Sequence, residues 1–210
     1  MTQAHSRRAE LAPLHRLVLA SNNLGKLAEL RGLLAGCGIE VVSQGELGIG
    51  EAEETASTFV ENALLKARKA ARESGLPALA DDSGLCVDAL NGAPGLYSAR
   101  YAGMHGDDAA NIEKLLAALV GVPDENRTAH FHCSLVLLRH EHDPAPLVCE
   151  GRWHGRILHA PRGEHGFGYD PVFLDPISGK SAAELSHEEK AAIGHRGVAL
   201  AQLIRLLRGA

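Results

Sequence analysis

Aromatic side chains are scarce in this 210-residue chain: Phe, Tyr and Trp together make up 4% of it. Hydrophobic residues still reach 45%, so a large core is available, and the shortage of rings makes the expected core one of Leu, Val, Ile and Ala. No apolar run is long enough to span a bilayer, so no membrane partner is expected. The residues up to His15 contain no apolar stretch of the kind a secretory signal needs. The chain therefore reads as a soluble, cytoplasmic protein. Cysteine is sparse as well: Cys37, Cys86, Cys133 and Cys149, with no CxxC pair. That usage suits neither a disulfide framework nor a paired zinc site, and free thiols are expected. A basic stripe is also missing. Lys and Arg number 21 against 26 Asp and Glu, a net charge of −5, which argues against a nucleic-acid surface. A few placed cations can still hold a small anion in a cleft.

Internal repeats and low-complexity linkers are absent too. Residues 1–15 read as a tail and 16–210 as one domain. A short apolar run, Leu17-Val18-Leu19-Ala20, ends in a polar turn from Ser21 to Lys26. Leu24, Leu27, Leu30, Leu33 and Leu34 then recur at helical spacing up to Gly36, and Val41-Val42 predicts a second short strand. Thr58-Phe59-Val60-Glu61 reads as a capping box opening a helix that ends at Gly75. Leu79-Ala80 reads as a strand leading into a loop, Asp81-Asp82-Ser83-Gly84. Asp107-Asp108 caps a helix running through Leu115 and Leu119. Thr128–Leu138 and Leu147–Leu158 predict an antiparallel pair. A second capping box starts at Ser186, and the tail from Val198 to Leu207 is an amphipathic helix. The class is α/β with a partly antiparallel sheet.

Several segments carry chemistry. The turn at Ser21, Asn22, Asn23, Leu24, Gly25 and Lys26 joins a strand to a helix. Backbone N–H groups at such a helix start favour anions, and Lys26 adds charge. The Walker spacing is absent, and an ordinary Asn-capped loop is the alternative. Asp81 and Asp82 offer hard oxygens suited to Mg²⁺, or a base for a water; a solvated turn before Gly84 is the alternative. Glu53 or Glu54 can complete a metal site or belong to a solvated face. In Gly166-Phe167-Gly168-Tyr169-Asp170, Phe167 offers a stacking face and Asp170 an acceptor, as a planar base would need. Lys190, His195 and Arg196 can hold a phosphate or a base carbonyl. His130, His132 and Cys133 resemble metal ligands but sit in an alternating strand without zinc spacing, so structural roles are expected.

Taken in order, Ser-Asn-Asn-x-Gly-Lys, Thr-Phe-x-Glu-Asn-Ala, Ala-Asp-Asp-Ser-Gly, Gly-Ala-Pro-Gly-x-Tyr-Ser-Ala-Arg, Gly-Phe-Gly-Tyr-Asp-Pro and Gly-His-Arg-Gly resemble the inosine triphosphate pyrophosphatases. The likeness runs from about Leu17 to the last helix. It implies Mg²⁺-dependent hydrolysis of ITP, dITP and XTP to the monophosphate and pyrophosphate. It implies an elongated mixed sheet flanked by helices, two lobes around a central nucleotide cleft, and a homodimer. Asp82 matches the proton acceptor and metal ligand. Ser21 to Lys26 match the triphosphate loop, and Ser83 a substrate contact. Phe167, Gly168, Tyr169 and Asp170 match the base-binding segment, with Lys190, His195 and Arg196 as the remaining contacts. Lys66 and Asp81 match positions supporting phosphates and metal, and one of Glu53 and Glu54 a second metal carboxylate. Gly194 stands where many relatives have Ser, and Glu164-His165 replace smaller residues. A Maf-like pyrophosphatase of modified pyrimidine nucleotides and a nucleotide sensor without turnover are the alternatives.

Overall fold

The computed structural model describes residues 14–208, so the predicted tail lies almost wholly outside the described residues. The elements in chain order are β1 (Arg16–Leu19), α1 (Leu24–Leu34), β2 (Glu40–Ser43), α2 (Phe59–Ser74) and β3 (Ala78–Val87). They are followed by α3 (Asp108–Ala118), β4 (Thr128–Leu138), β5 (Leu147–Ile157), β6 (Phe173–Leu174), α4 (His187–Ile193) and α5 (His195–Leu207). One six-stranded sheet has the order β2-β1-β3-β4-β5-β6. β1 runs parallel to β2 and to β3, while β3, β4, β5 and β6 are antiparallel in turn. The α/β class, the mixed sheet and the β4–β5 pair follow the sequence reading.

Helix starts follow their caps. The Asn23 side chain accepts the Lys26 N–H at 3.0 Å at the head of α1. Ser186 and Glu189 form a full reciprocal box at the head of α4. The box expected at Thr58 is only half made. Thr58 Oγ1 accepts the Glu61 N–H, but the Glu61 carboxylate accepts from the Thr58 hydroxyl instead of from its N–H. The last helix begins at His195, three residues before Val198, with Gly194 as its N-cap.

The core falls into three clusters. Leu19, Leu30, Leu79, Leu135 and Leu200 join α1 and α5 to one face of the sheet. Val18, Ala67, Ala70, Ala80 and Val136 pack α2 on the other face, where alanines let the helix approach closely. Both are aliphatic, as composition suggests. The third, at the far end of β3–β5, is not. It gathers Phe131, Trp153, Tyr169 and Phe173 with Leu85, Leu115 and Leu119. Few aromatics do not make an aromatic-free core when those few are concentrated at one end. The cleft lies between this lobe and the aliphatic one. Among the described residues, no helix is long and apolar enough to cross a membrane.

Candidate active site

The cleft exists because neighbouring strands differ in length. β1 pairs with β3 only at Ala78 and Leu79 and then stops. β3 continues to Val87, so from Asp81 onward its edge is open. Further along, a loop closes that edge again: Leu85 N–H donates to Ser98 Oγ at 2.9 Å and Val87 N–H to the Ala93 carbonyl at 3.2 Å. Gly84 makes this closure possible, because a Cβ there would overlap the Gly95 carbonyl. The residues Asp81-Asp82-Ser83-Gly84 are therefore part of a continuous strand, not the loop after one. The alternative of a solvated turn is not met: Asp81 is 1% exposed and Asp82 6%.

Alternation along β3 sends the two carboxylates to opposite faces. Asp81 points toward α1 and α5. It pairs with Lys26 Nζ, accepts from Arg196 Nε at 3.1 Å, and accepts a hydrogen bond from the Cys133 thiol at 3.2 Å. Burial opposes its ionisation, but Lys26 and Arg196 overcome that and hold its pKa well below the usual carboxylate range. Arg196 also donates to Ser83 Oγ at 2.9 Å and pairs with Glu29. Glu29 in turn takes Lys190 Nζ at 2.8 Å, and Lys190 reaches Asp170 Oδ2 at 2.6 Å. Burial pushes the Asp170 carboxyl up, with Lys190 offsetting part of the shift. Lys26, Arg196 and Lys190 thus form a wall of cations, each held by a carboxylate.

Asp82 points toward α2. Its Oδ1 lies 2.7 Å from Lys66 Nζ, which is also 2.7 Å from Glu54 Oε1. Arg100 holds the other Glu54 oxygen at 3.1 Å. Burial raises the Asp82 pKa, and Lys66 and Lys26 pull against it without cancelling it. Burial also works against the Lys66 charge, yet Asp82 and Glu54 win and its pKa is raised. Of the two candidate glutamates, Glu54 lines the cleft, whereas Glu53 is exposed and does not. Among the described residues no group of three His, Cys, Asp or Glu stands close enough to hold a metal alone. Asp82 and Glu54 converge on one point with hard oxygens. That donor set fits an ion that fills its remaining positions with water and phosphate oxygens, as Mg²⁺ does.

The other end of the cleft is built around Phe167. Its ring packs on Gly25, where an added Cβ would come within 2.5 Å of the ring. Lys190 Nζ lies 4.9 Å and the Arg196 guanidinium 5.8 Å from the ring centre. Asp170 accepts the Phe167 N–H at 2.9 Å, and Asp108 accepts the Gly168 N–H at 2.7 Å, so the loop is tied at both ends. The Tyr169 hydroxyl donates to the Ser98 carbonyl at 2.9 Å. His195 stacks on Phe131 with ring centres 4.8 Å apart. Burial, helped by Arg196, holds its pKa well below the usual value, so the ring is neutral. Its Nδ1 is buried with no protein partner among the described residues.

The structure brings together all the candidates except Leu24, Gly25 and Glu53. Leu24 is 81% exposed, and Gly25 serves as a seat for Phe167. Several cleft residues escaped the sequence reading, Gln44, Ser98, His105 and Asp108, as did Glu29, which holds two of the cations. Glu29 sits one turn after Lys26 on α1, which was the available signal. The sequence makes Asp108 part of a cap; in the structure Asp107 does the capping and Asp108 turns to the loop. The apparent ligand cluster is divided between faces. Cys133 serves Asp81, while His132 stacks on Phe59 at 4.9 Å and meets Ser134 Oγ at 3.0 Å.

A cation wall facing paired carboxylates, with an aromatic platform at one end, defines a nucleotide-handling α/β protein. The chain belongs to the Ham1 family, whose model matches residues 17–206. The dITP/XTP pyrophosphatase of Yersinia pseudotuberculosis is 59% identical over 197 residues, covering 94% of this chain and 100% of the relative. That of Escherichia coli K12 is 56% identical over 195 residues, covering 93% and 99%. Among solved structures, a HAM1 protein from Coxiella burnetii superposes with a TM-score of 0.86 at 53% identity, covering 94% of this chain and 100% of that one.

Proposed function

We propose that the protein hydrolyses non-canonical purine nucleoside triphosphates, dITP, ITP and XTP, to the monophosphate and pyrophosphate. The observation that carries this is the position of Asp81. One buried carboxylate holds both Lys26 of the triphosphate loop and Arg196 beside the Phe167 platform. The names of the relatives, dITP/XTP pyrophosphatase, support the same substrates.

In the proposed reaction, water attacks the α-phosphorus, the bond to the bridging oxygen breaks, and pyrophosphate leaves. Asp82 takes the water's proton. Lys26, Lys66 and the backbone N–H groups after Ser21 offset charge on the phosphates, and positioning does most of the rest. Bound at Asp82 and Glu54, Mg²⁺ would supply further neutralisation of phosphate charge. Phe167 stacks on the base. Arg196 or the neutral His195 donates to the 6-keto oxygen, which adenine lacks. A site built on such bonds discriminates by roughly 10⁴ or more, because the wrong base leaves buried groups unpaired. GTP shares the 6-keto group, and its 2-amine is refused by backbone near Phe167 in this reading. A homodimer, on the strength of the sequence resemblance, and a cytoplasmic location, on the strength of the cysteine usage, complete the proposal.

The test is pyrophosphate release from ITP, dITP, XTP, GTP and ATP, each with and without Mg²⁺. Fast Mg²⁺-dependent release from ITP, dITP and XTP alone is expected. Orthophosphate in place of pyrophosphate would move the attack to the γ-phosphorus. Turnover of modified pyrimidine triphosphates instead would favour the Maf-like reading. Tight ITP binding without any product would favour a sensor.

A further inference from the structure

Lys66 Nζ lies where a cation shared by Asp82 and Glu54 would lie. It is 2.7 Å from an oxygen of each and donates to the Asp81 carbonyl at 3.3 Å, so all three ammonium protons have acceptors. The arrangement is sheltered, with the Lys66 side chain 13% exposed and that of Asp82 8%. We infer that Lys66 is the internal counter-ion of this carboxylate pair and competes with a divalent cation for it, so that the cation enters together with a triphosphate that accepts the displaced ammonium. The inference rests on the reading of Asp82 and Glu54 as the metal carboxylates.

Two cations cannot occupy the same pair of oxygens, and their repulsion at a few ångströms is poorly screened where little water reaches. Lysine is a point charge on a flexible four-carbon stem, so it can leave one anion for another without moving its helix. Displaced from Asp82 and Glu54, the ammonium must find a new anion or remain buried and unpaired. A triphosphate in the cleft supplies it. Lys26 differs, since it pairs with Asp81 on the opposite face of β3 and is untouched by the exchange. Entry of the bare ion is therefore resisted, and entry of the ion with its nucleotide is favoured.

The experiment uses Mn²⁺ as a paramagnetic probe, with binding to the nucleotide-free protein followed by electron paramagnetic resonance. Lys66→Met is expected to bind Mn²⁺ at least tenfold more tightly than the wild type, and Lys66→Arg, which keeps the charge, to stay weak. An ITP analogue with a methylene between the α- and β-phosphorus should tighten Mn²⁺ binding to the wild type by tenfold or more, and by clearly less in Lys66→Met. Thermal melting with and without Mn²⁺ gives a second readout: the ion should raise the Tm of Lys66→Met more than that of the wild type. Lys66→Gln replaces Lys66→Met if the latter does not fold. Equal or weaker Mn²⁺ binding by the uncharged variants overturns the competition while leaving the metal carboxylates in place. Mn²⁺ binding that survives Asp82→Asn and Glu54→Gln unchanged overturns both.

Discussion

Asp81 and Asp82 are adjacent in sequence, yet their carboxylates act on opposite faces of β3, one held by Lys26 and Arg196 and the other by Lys66. Their removal should therefore have different signatures. Asp82→Asn should lower kcat by several orders of magnitude with little change in Tm. Asp81→Asn leaves two buried cations without their shared partner, a loss of about 3–5 kcal/mol. Its Tm should fall on the order of 10 °C. Calorimetry alongside single-turnover kinetics separates the two; matching losses of activity and stability in both variants would refute the division.

Gly25 gives a second test. Alanine there gains helix propensity, about 1 kcal/mol, but its Cβ would press into the Phe167 ring from backbone that cannot retreat. Gly25→Ala should raise KM for ITP about tenfold or more while leaving kcat and Tm nearly unchanged. A normal KM would mean that the position of Phe167 is unimportant to binding.

Phe167 itself should contribute through stacking. Phe167→Ala removes a base–aromatic contact of about 1–3 kcal/mol, so KM for ITP should rise roughly 5- to 150-fold. Phe167→Trp should restore most of the loss. Equilibrium titration with the unhydrolysable ITP analogue reads this directly, and unaltered affinity in the alanine variant would remove the platform from the model of recognition.

Buried, neutral His195 sets a pH dependence of stability. Its folded pKa lies well below the unfolded value, so on acidification the unfolded chain takes the proton first. The contribution is full above about pH 6.5 and is lost as pH falls from there toward the depressed folded value, by about 1.4 kcal/mol per unit for one such group. His130 and His132 are lowered as well, chiefly by burial, and act in the same sense. Asp81 stays ionised across this window and adds no slope. Melting temperatures between pH 7 and 5 should fall less steeply for His195→Gln than for the wild type; parallel curves would exclude His195 as the source.

Local features were legible in the sequence because they are made within a few residues. The Asn23 and Ser186 caps, the Gly75 stop and the long β4–β5 pair are of this kind. Site residues read as motifs also came together, since each motif marks where the chain turns into the cleft. What could not be read was partnership at a distance. Glu29 meets Arg196 across 167 positions of chain, and no local pattern encodes that. Asp81-Asp82 looked like a turn because consecutive carboxylates followed by Ser-Gly usually are solvated. Only the fold shows cations waiting on both faces, which is what allows two charges inside a strand.

β1 has four residues and β3 has ten, and the open edge at the cleft is the difference between them. The cleft is thus a missing stretch of wall, not an added room. A lengthened β1, two residues inserted before Ser21 and zipped onto Asp81 and Asp82, would brick up the opening while every proposed catalytic side chain remained present. Activity in this protein depends as much on where a strand ends as on what any residue carries.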